Sequence, residues 1–344
     1  IMSQHEITSM HDLLDENGHL AEAGYARKLL LKYDRSMVKT PKWRIKEWDY
    51  YFIGNSKYGI ALTLADNSYM GLAGVTFFDF EKKDKTNYAK FLLFPMGKLN
   101  LPTKSSEGVS EYQSKKISLC FKVSDNIHHL TCDVPNFKDG KALHVDVKLT
   151  NVPEETIVMA TPFKENKKAF YYNQKINNLV AHGQFTIGDE VYDLTDNLGV
   201  FDWGRGVWIY DSTWYWSSLS TRLPDGSMFG FNLGYGFGDT SAATENILFY
   251  NGKGHKLEHV DFGIPEKDGK DDFMSPWHFT SSDNRLELTF TPVFDNVQKT
   301  NLLILGQDGH QVFGYFNGKA VLDDGTVIEL KDAFGFAEKI RNRW

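Results

Sequence analysis

A mainly β chain, arranged as two antiparallel barrels or strongly bent sheets in tandem, is the architecture predicted by this sequence of 344 residues. Three observations predict it. Apolar and polar residues alternate with period two in one stretch after another, the pattern of half-buried antiparallel strands. Asn-Gly and Asp-Gly pairs, which favour tight hairpins, punctuate those stretches at intervals of roughly ten to fifteen residues. Helical periodicity is scarce: the best candidate is 20–33, where Gly24 weakens a helix by about 1 kcal/mol relative to Ala.

Taken in order, residues 1–40 form an N-terminal arm expected to lie across a barrel. The strands predicted next are 43–53, 58–65, 70–80, 117–123 and 142–149, parted by Gly54-Asn55, Asp66-Asn67 and Asp139-Gly140. In the second half they are 185–187, 228–237, 247–250, 286–291, 311–316 and 326–330. Gly188-Asp189, Pro224-Asp225-Gly226, Asn251-Gly252, Asn317-Gly318 and Asp324-Gly325 separate these. Strand edges must be closed or covered, and two β-barrel domains, 41–180 and 181–344, would do so. The segment 171–180 (YYNQKINNLV) lacks the composition of a linker, which predicts a broad, rigid interface between the halves.

The residues that carry chemistry concentrate in 198–238, LGVFDWGRGVWIYDSTWYWSSLSTRLPDGSMFGFNLGYGFG. Large amphipathic rings, closely spaced glycines, an acid and a cation together suit the wall of a ligand cavity better than a core alone. On the 228–237 strand one face carries Phe229, Phe231, Leu233, Tyr235 and Phe237. The other carries Met228, Gly230, Asn232, Gly234 and Gly236, so Asn232 is the one side chain there with both a donor and an acceptor. Trp214 and Trp216 share a strand face and suit either core packing or a flat platform for a ligand. In DWGRG the glycines predict a bulge or tight bend, and Asp202 with Arg205 suits either a structural ion pair or a functional acid beside a cation. A neighbouring Arg lowers a carboxyl pKa, whereas acid catalysis at neutral pH needs burial or a second carboxylate to raise it; Glu245 is the obvious second carboxylate. The candidate catalytic residues are therefore Asp202, Glu245 and Arg205. The candidate ligand-binding residues are Trp203, Trp208, Tyr210, Trp214, Trp216, Asn232, Asn246 and His182.

Other classes are disfavoured. A net charge of −7 and the absence of a basic stripe argue against nucleic acid. His255 and His259 have zinc-like i, i+4 spacing without an intervening Glu and read as surface histidines, so no metal or other cofactor is expected. His310 lies in a Gly-Gln-Asp-Gly-His stretch that reads as a turn. Cys120 and Cys132 read as buried thiols of a reducing compartment. With no signal-peptide pattern and no run of 18 apolar residues, a cytoplasmic protein without a membrane span is expected.

At these residues the chain resembles the bacterial DUF2804 family. Its characteristic strings appear as 201–210, 214–216 and 230–246, with further matching stretches at 45–51 (IKEWDYY), 170–177 (FYYNQKIN) and 309–318 (GHQVFGYFNG). It is distantly similar to the AttH and carotenoid hydratase (hydroxyneurosporene synthase) group. On that pattern Asp202, Trp214, Trp216 and Asp225-Gly226 correspond, and Trp203 stands where the group has a His. The likeness implies two tandem lipocalin-like (calycin-type) barrels with the aromatic segment near their shared interface. The expected function is to bind a mostly apolar small molecule, with acid-assisted hydration or cyclisation as its chemistry. The alternative is a carbohydrate-active protein, a glycoside hydrolase or sugar binder, using the aromatic platforms and paired carboxylates.

Overall fold

The computed structural model describes residues 3–302 and 305–344. Antiparallel pairing dominates it, and among the described residues the only helical elements are single 3-10 turns at Arg35–Met37 and Lys42–Arg44. The first sheet runs, from one edge, through Asp84–Leu93, Met70–Asp79, Tyr58–Asp66, Lys46–Gly54, Leu198–Val207, Phe170–Ile187, Lys141–Thr150, Ile127–Lys138, Ser118–Ser124 and Gly108–Gln113. It curls until its Asp84–Leu93 strand lies against Ile127–Lys138. The second sheet contains Met228–Tyr235, Asp211–Arg222, Val327–Arg343, Leu305–Val321 and Leu286–Leu302 in that order, with shorter strands at both edges. Each sheet wraps its own core. Trp203, Phe201, Tyr51 and Tyr172 belong to the first, and Phe229, Phe231, Leu233 and Trp277 to the second. The fold is thus two tandem lipocalin-like barrels.

Several expectations change in detail. The 20–33 helix does not form. Gly24–Ala26 is instead a strand paired with Ile157–Pro162, and a Cβ on Gly24 would stand 2.5 Å from the His5 carbonyl oxygen, a close approach that favours Gly. No bulge interrupts DWGRG, because Leu198 to Gly206 pair without a register shift against Lys46–Gly54. The glycines there serve close packing: Trp48 lies over Gly204, where a Cβ would come within 1.9 Å of its ring. The change of sheet falls between Val207 and Asp211, and residue 180 lies inside the long Phe170–Ile187 strand. Asn317-Gly318 forms a bulge within Leu305–Val321, not a hairpin, and His310 sits in that same strand.

Regular alternation has a direct consequence for Arg205. It points with Trp203 into the first core, on the face opposite Asp202, where it is fully buried. There it sits 3.1 Å from Asp49, donates to the carbonyls of Trp48, Gly204 and Pro102, and lies 4.3 Å from the Trp203 ring centroid. The arm reaches both halves. It donates from the His5 N–H to the Ala242 carbonyl, accepts the Thr244 N–H on Gln4, and pairs Arg27 with Glu155 and the Gly254 carbonyl.

Removing one partner of a buried pair leaves the other charge unbalanced in low dielectric. Arg205→Met is therefore expected to lower the unfolding free energy by about 3–5 kcal/mol in a urea titration, and an unchanged midpoint would contradict the buried ion pair.

Candidate functional site

The outer faces of the two sheets pack against each other. Phe52, Phe78, Phe80 and Val200 from the first sheet meet Trp216, Phe313 and Phe336 from the second. Beside this aromatic block the interface turns polar, and cross-strand register shows why. Neighbours in register project from the same face of a sheet. Lys175, Asp202 and Tyr50 thus form one row of the first sheet. Gly234, Trp216, Glu338, Gln311 and Asn296 form one row of the second. The rows are joined across the interface by the Gln311 side-chain amide, which donates to the Tyr50 hydroxyl at 3.1 Å.

Lys175 is the cation at the centre. Its ammonium lies 3.4 Å from Asp202, donates to Asn173 at 2.6 Å and to the Tyr171 hydroxyl at 3.3 Å, and stands 4.7 Å from the Trp216 ring centroid. Asn173 in turn donates to Asp202 at 2.6 Å and to the Trp203 carbonyl at 2.9 Å, fixing the carboxylate. From the other side Trp214 donates its indole N–H to Glu338 at 3.1 Å, and Trp216 donates to Asn232 at 2.7 Å. The missing side chain at Gly234 makes room for Glu245: a Cβ there would come within 1.5 Å of its carboxyl oxygen.

Lys175 faces three carboxyl groups, and Lys256 also acts on Glu245. Burial, assisted by repulsion from Asp202 and Glu245, pushes the Glu338 carboxyl up to about 8, against the opposing pull of the Trp214 hydrogen bond and of Lys175. Burial, with Asp202 adding to it, also raises Glu245. At neutral pH Glu338 therefore retains its proton and is a carboxylic acid able to donate. Tyr50, Tyr171, Trp214 and Glu245 lie between the sheets and yet keep some accessible area, so the region around the acids is not sealed by packing. Phe237 closes one side. Its ring centroid is 4.8 Å from that of Tyr171, 5.4 Å from Trp208 and 5.6 Å from Trp214. Outside it opens a cleft of about 660 Å³ lined by Phe163, Ile209, Gly236, Gly238, Ser241 and His259.

Of the residues singled out in the sequence, Asp202, Glu245, Trp214, Trp216 and Asn232 meet at this interface. Asn246 braces it, accepting the Gly234 N–H and donating to the Glu258 carbonyl. Trp208 belongs to the aromatic wall with Trp48, Tyr171 and Phe237. Arg205 and Trp203 point away into the first core, and the Asp202–Arg205 pair does not form. Tyr210 is exposed, and His182 is exposed beside the Thr150 hydroxyl. Lys175, Glu338, Tyr171 and Asn173 were not among the sequence candidates. The available signal was a break in a strand face: Glu338 interrupts the apolar series Phe334, Phe336, Ile340, and Lys175 continues the polar series Tyr171, Asn173, Asn177.

A family model described as a domain of unknown function, DUF2804, matches residues 4–344. Among solved structures, the chain is similar to an AttH-like protein from Nitrosomonas europaea, with a TM-score of 0.55 and 12% identity over 90% of this chain and 96% of that one. It also aligns with kievitone hydratase from Nectria haematococca, with a TM-score of 0.46 and 11% identity over 87% of this chain and 88% of that one. No curated protein matches it in sequence. At such identities the structural likeness establishes the shared fold alone, while the family match spans nearly the whole chain: the protein belongs to the DUF2804 family.

Proposed function

We propose that the protein holds a mostly apolar small molecule between its two sheets and catalyses acid-assisted addition of water, or of the ligand's own hydroxyl, to an unsaturated bond. The observation that carries this reading is the buried Glu338, its carboxyl raised by burial, set among aromatic rings beside the Lys175–Asp202 pair. Glu338 gives its proton to one carbon of a double bond, forming a C–H bond. The cation left on the neighbouring carbon faces the Trp214 and Tyr171 rings, whose π electrons favour it. Water then supplies the new C–O bond and releases a proton to Asp202, which Asn173 and Lys175 hold in place. Proton exchange between the two carboxyl groups restores the starting state. Glu245, deepening the negative field, keeps Glu338 protonated until reaction.

A sugar-processing site would need its carboxylates along a solvated groove. Asp202 and Glu338 are instead buried against aromatic residues, which favours a lipophilic ligand. The open cleft behind Phe237 is the route of entry, and the left-handed glycines Gly236 and Gly238 on either side of that ring allow it to swing.

Native mass spectrometry of the purified protein should reveal a co-purifying apolar molecule. With that molecule or its precursor as substrate, Glu338→Gln is expected to lower kcat by about 100-fold or more, and wild-type activity should fall as pH rises through about 8. Turnover undiminished in both Glu338→Gln and Asp202→Asn would overturn the assignment. Stability carries the same signature without a substrate. Because Glu338 binds its proton more tightly in the folded protein than in the unfolded chain, where its ordinary value is 4.5, its ionisation destabilises the fold progressively between about 4.5 and 8. Glu338→Gln should therefore gain stability relative to wild type across that interval, by at most about 1.4 kcal/mol per pH unit, and no further above it; parallel urea titrations test the slope. Phe237→Ala should raise acrylamide quenching of tryptophan fluorescence, and unchanged quenching would remove the gate.

A further inference from the structure

Two stretches of this chain hold cations and no acid. Between Asp34 and Glu47 stand Arg35, Lys39, Lys42, Arg44 and Lys46, and between Asp84 and Glu107 stand Lys85, Lys90, Lys98 and Lys104. The fold brings the two together. Arg35 donates to the Ser68 hydroxyl at 2.8 Å, and its Nε lies 2.7 Å from where a Cβ would stand on Gly97. The Trp43 ring meets the Tyr69 ring edge-on at 6.4 Å, and the Tyr69 carbonyl accepts the Phe94 N–H at 3.0 Å. Arg35 and Lys104 pair with Glu47 and Glu107, whereas Lys39, Lys42, Lys90 and Lys98 are exposed with no ion-pair partner among the described residues.

Apolar side chains stand out from the same place. Phe91 is 64% exposed, Leu93 83% and Phe94 65%, and Met96 and Trp43 are exposed as well. Single exposed apolar residues are ordinary, but a local group of them marks a contact surface. Backbone conformation argues the same way. Phe94 and Met96 have φ of 49° and 51°, in the left-handed region that Gly and Asn adopt readily and bulky residues rarely. For a mere turn, Gly or Asn would serve at less strain. Pro95 is buried between the two, and the Ser68 carbonyl accepts the Met96 N–H at 2.9 Å, so a braced loop holds both side chains in solvent. Cross-strand register ties the patch to the interface: Trp48, Ala65, Leu72 and Phe91 are successive neighbours on one face of the first sheet, running from the aromatic wall to its exposed edge.

We propose that the 91–98 loop and Trp43 dock on the surface of a bilayer rich in anionic phospholipid, the apolar side chains entering the headgroup region and the four lysines meeting its anionic groups. Charge selects this occupant. A second copy of the chain, joined through the same patch about a two-fold axis, would bring lysines toward their own copies, whereas an anionic surface attracts every one of them. The net charge of −7 does not prevent approach, because fields are screened beyond about 8 Å at physiological ionic strength and the nearby lysines prevail. Trp43 suits the boundary, since indoles favour the headgroup level. A bilayer is also where a mostly apolar ligand collects; that link alone rests on the proposed function.

The test is flotation with vesicles of phosphatidylcholine, alone or with about one third phosphatidylserine. Wild type should bind the anionic vesicles at physiological salt, and about tenfold more weakly on phosphatidylcholine alone or at high salt. The double variant Phe94→Asn, Met96→Asn suits the left-handed backbone, so it should keep the melting temperature and yet lose about tenfold or more in vesicle affinity. Lys90→Glu with Lys98→Glu should weaken binding to anionic vesicles by a similar factor and leave binding to neutral ones unchanged. Glu338→Gln should bind vesicles as wild type does, which separates a failure of docking from a failure of the chemistry. Wild-type protein that stays in solution beside anionic vesicles, or binding that the asparagine variant leaves intact, refutes the docking surface. So does a concentration-dependent dimer, seen by sedimentation without vesicles and abolished in the asparagine variant, which would assign the patch to a second copy.

Discussion

The pleat of the strands sandwiched between core and interface is the constraint on which the remaining structure depends. Leu198–Val207 is buried along nearly its whole length, so successive residues must serve two different interiors. Phe201, Trp203, Arg205 and Val207 fill the first barrel, while Val200 and Asp202 face the second sheet and Gly204 lies under Trp48. A slip of one residue would exchange the two sets, bringing a carboxylate into the barrel and an indole into the polar row. The ion pair of Arg205 with Asp49 and the bond of Asn173 to Asp202 sit on opposite sides of the same backbone and hold that register from both directions.

The sequence made the strands legible because alternation and hairpin pairs are local properties. Face assignment on 228–235 follows from period two, and the structure sends Phe229, Phe231 and Leu233 inward as that period requires, whereas Phe237, expected on the same face, lies beyond the strand's end at Tyr235 and turns to the wall between the sheets. The candidate site was legible only where its residues lie close together in the chain. Lys175 and Glu338 stand far from Asp202 in sequence and reach it through sheet order, which no local pattern encodes. The glycines of DWGRG were ambiguous for a related reason: a glycine that permits a bend and one that admits a neighbouring ring look alike until the neighbour, Trp48, is known. The same ambiguity turned Asn317-Gly318 from an expected hairpin into a bulge.

Electrostatic imbalance sets the character of the interface. At one end Asp202, Glu245 and Glu338 gather around Lys175, with Lys256 also acting on Glu245, and burial pushes the Glu338 carboxyl up to about 8. At the other, Lys46 lies over the Tyr69, Trp208 and Trp344 rings, with no ion-pair partner among the described residues. The aromatic wall of Trp48, Trp208, Tyr171 and Phe237 stands between these opposite excesses and keeps them out of ion-pair contact.

The docking of the N-terminal arm bears on the order in which the molecule is assembled. Gln4 and His5 fasten the loop that presents Glu245, by accepting from Thr244 and donating to Ala242, while Lys256 donates to the Thr244 carbonyl from the far side. During synthesis Gln4 and His5 must wait for a partner more than two hundred positions behind them. A carboxyl group whose setting depends on such a distant clasp takes its place late, when most of both barrels has already formed around it.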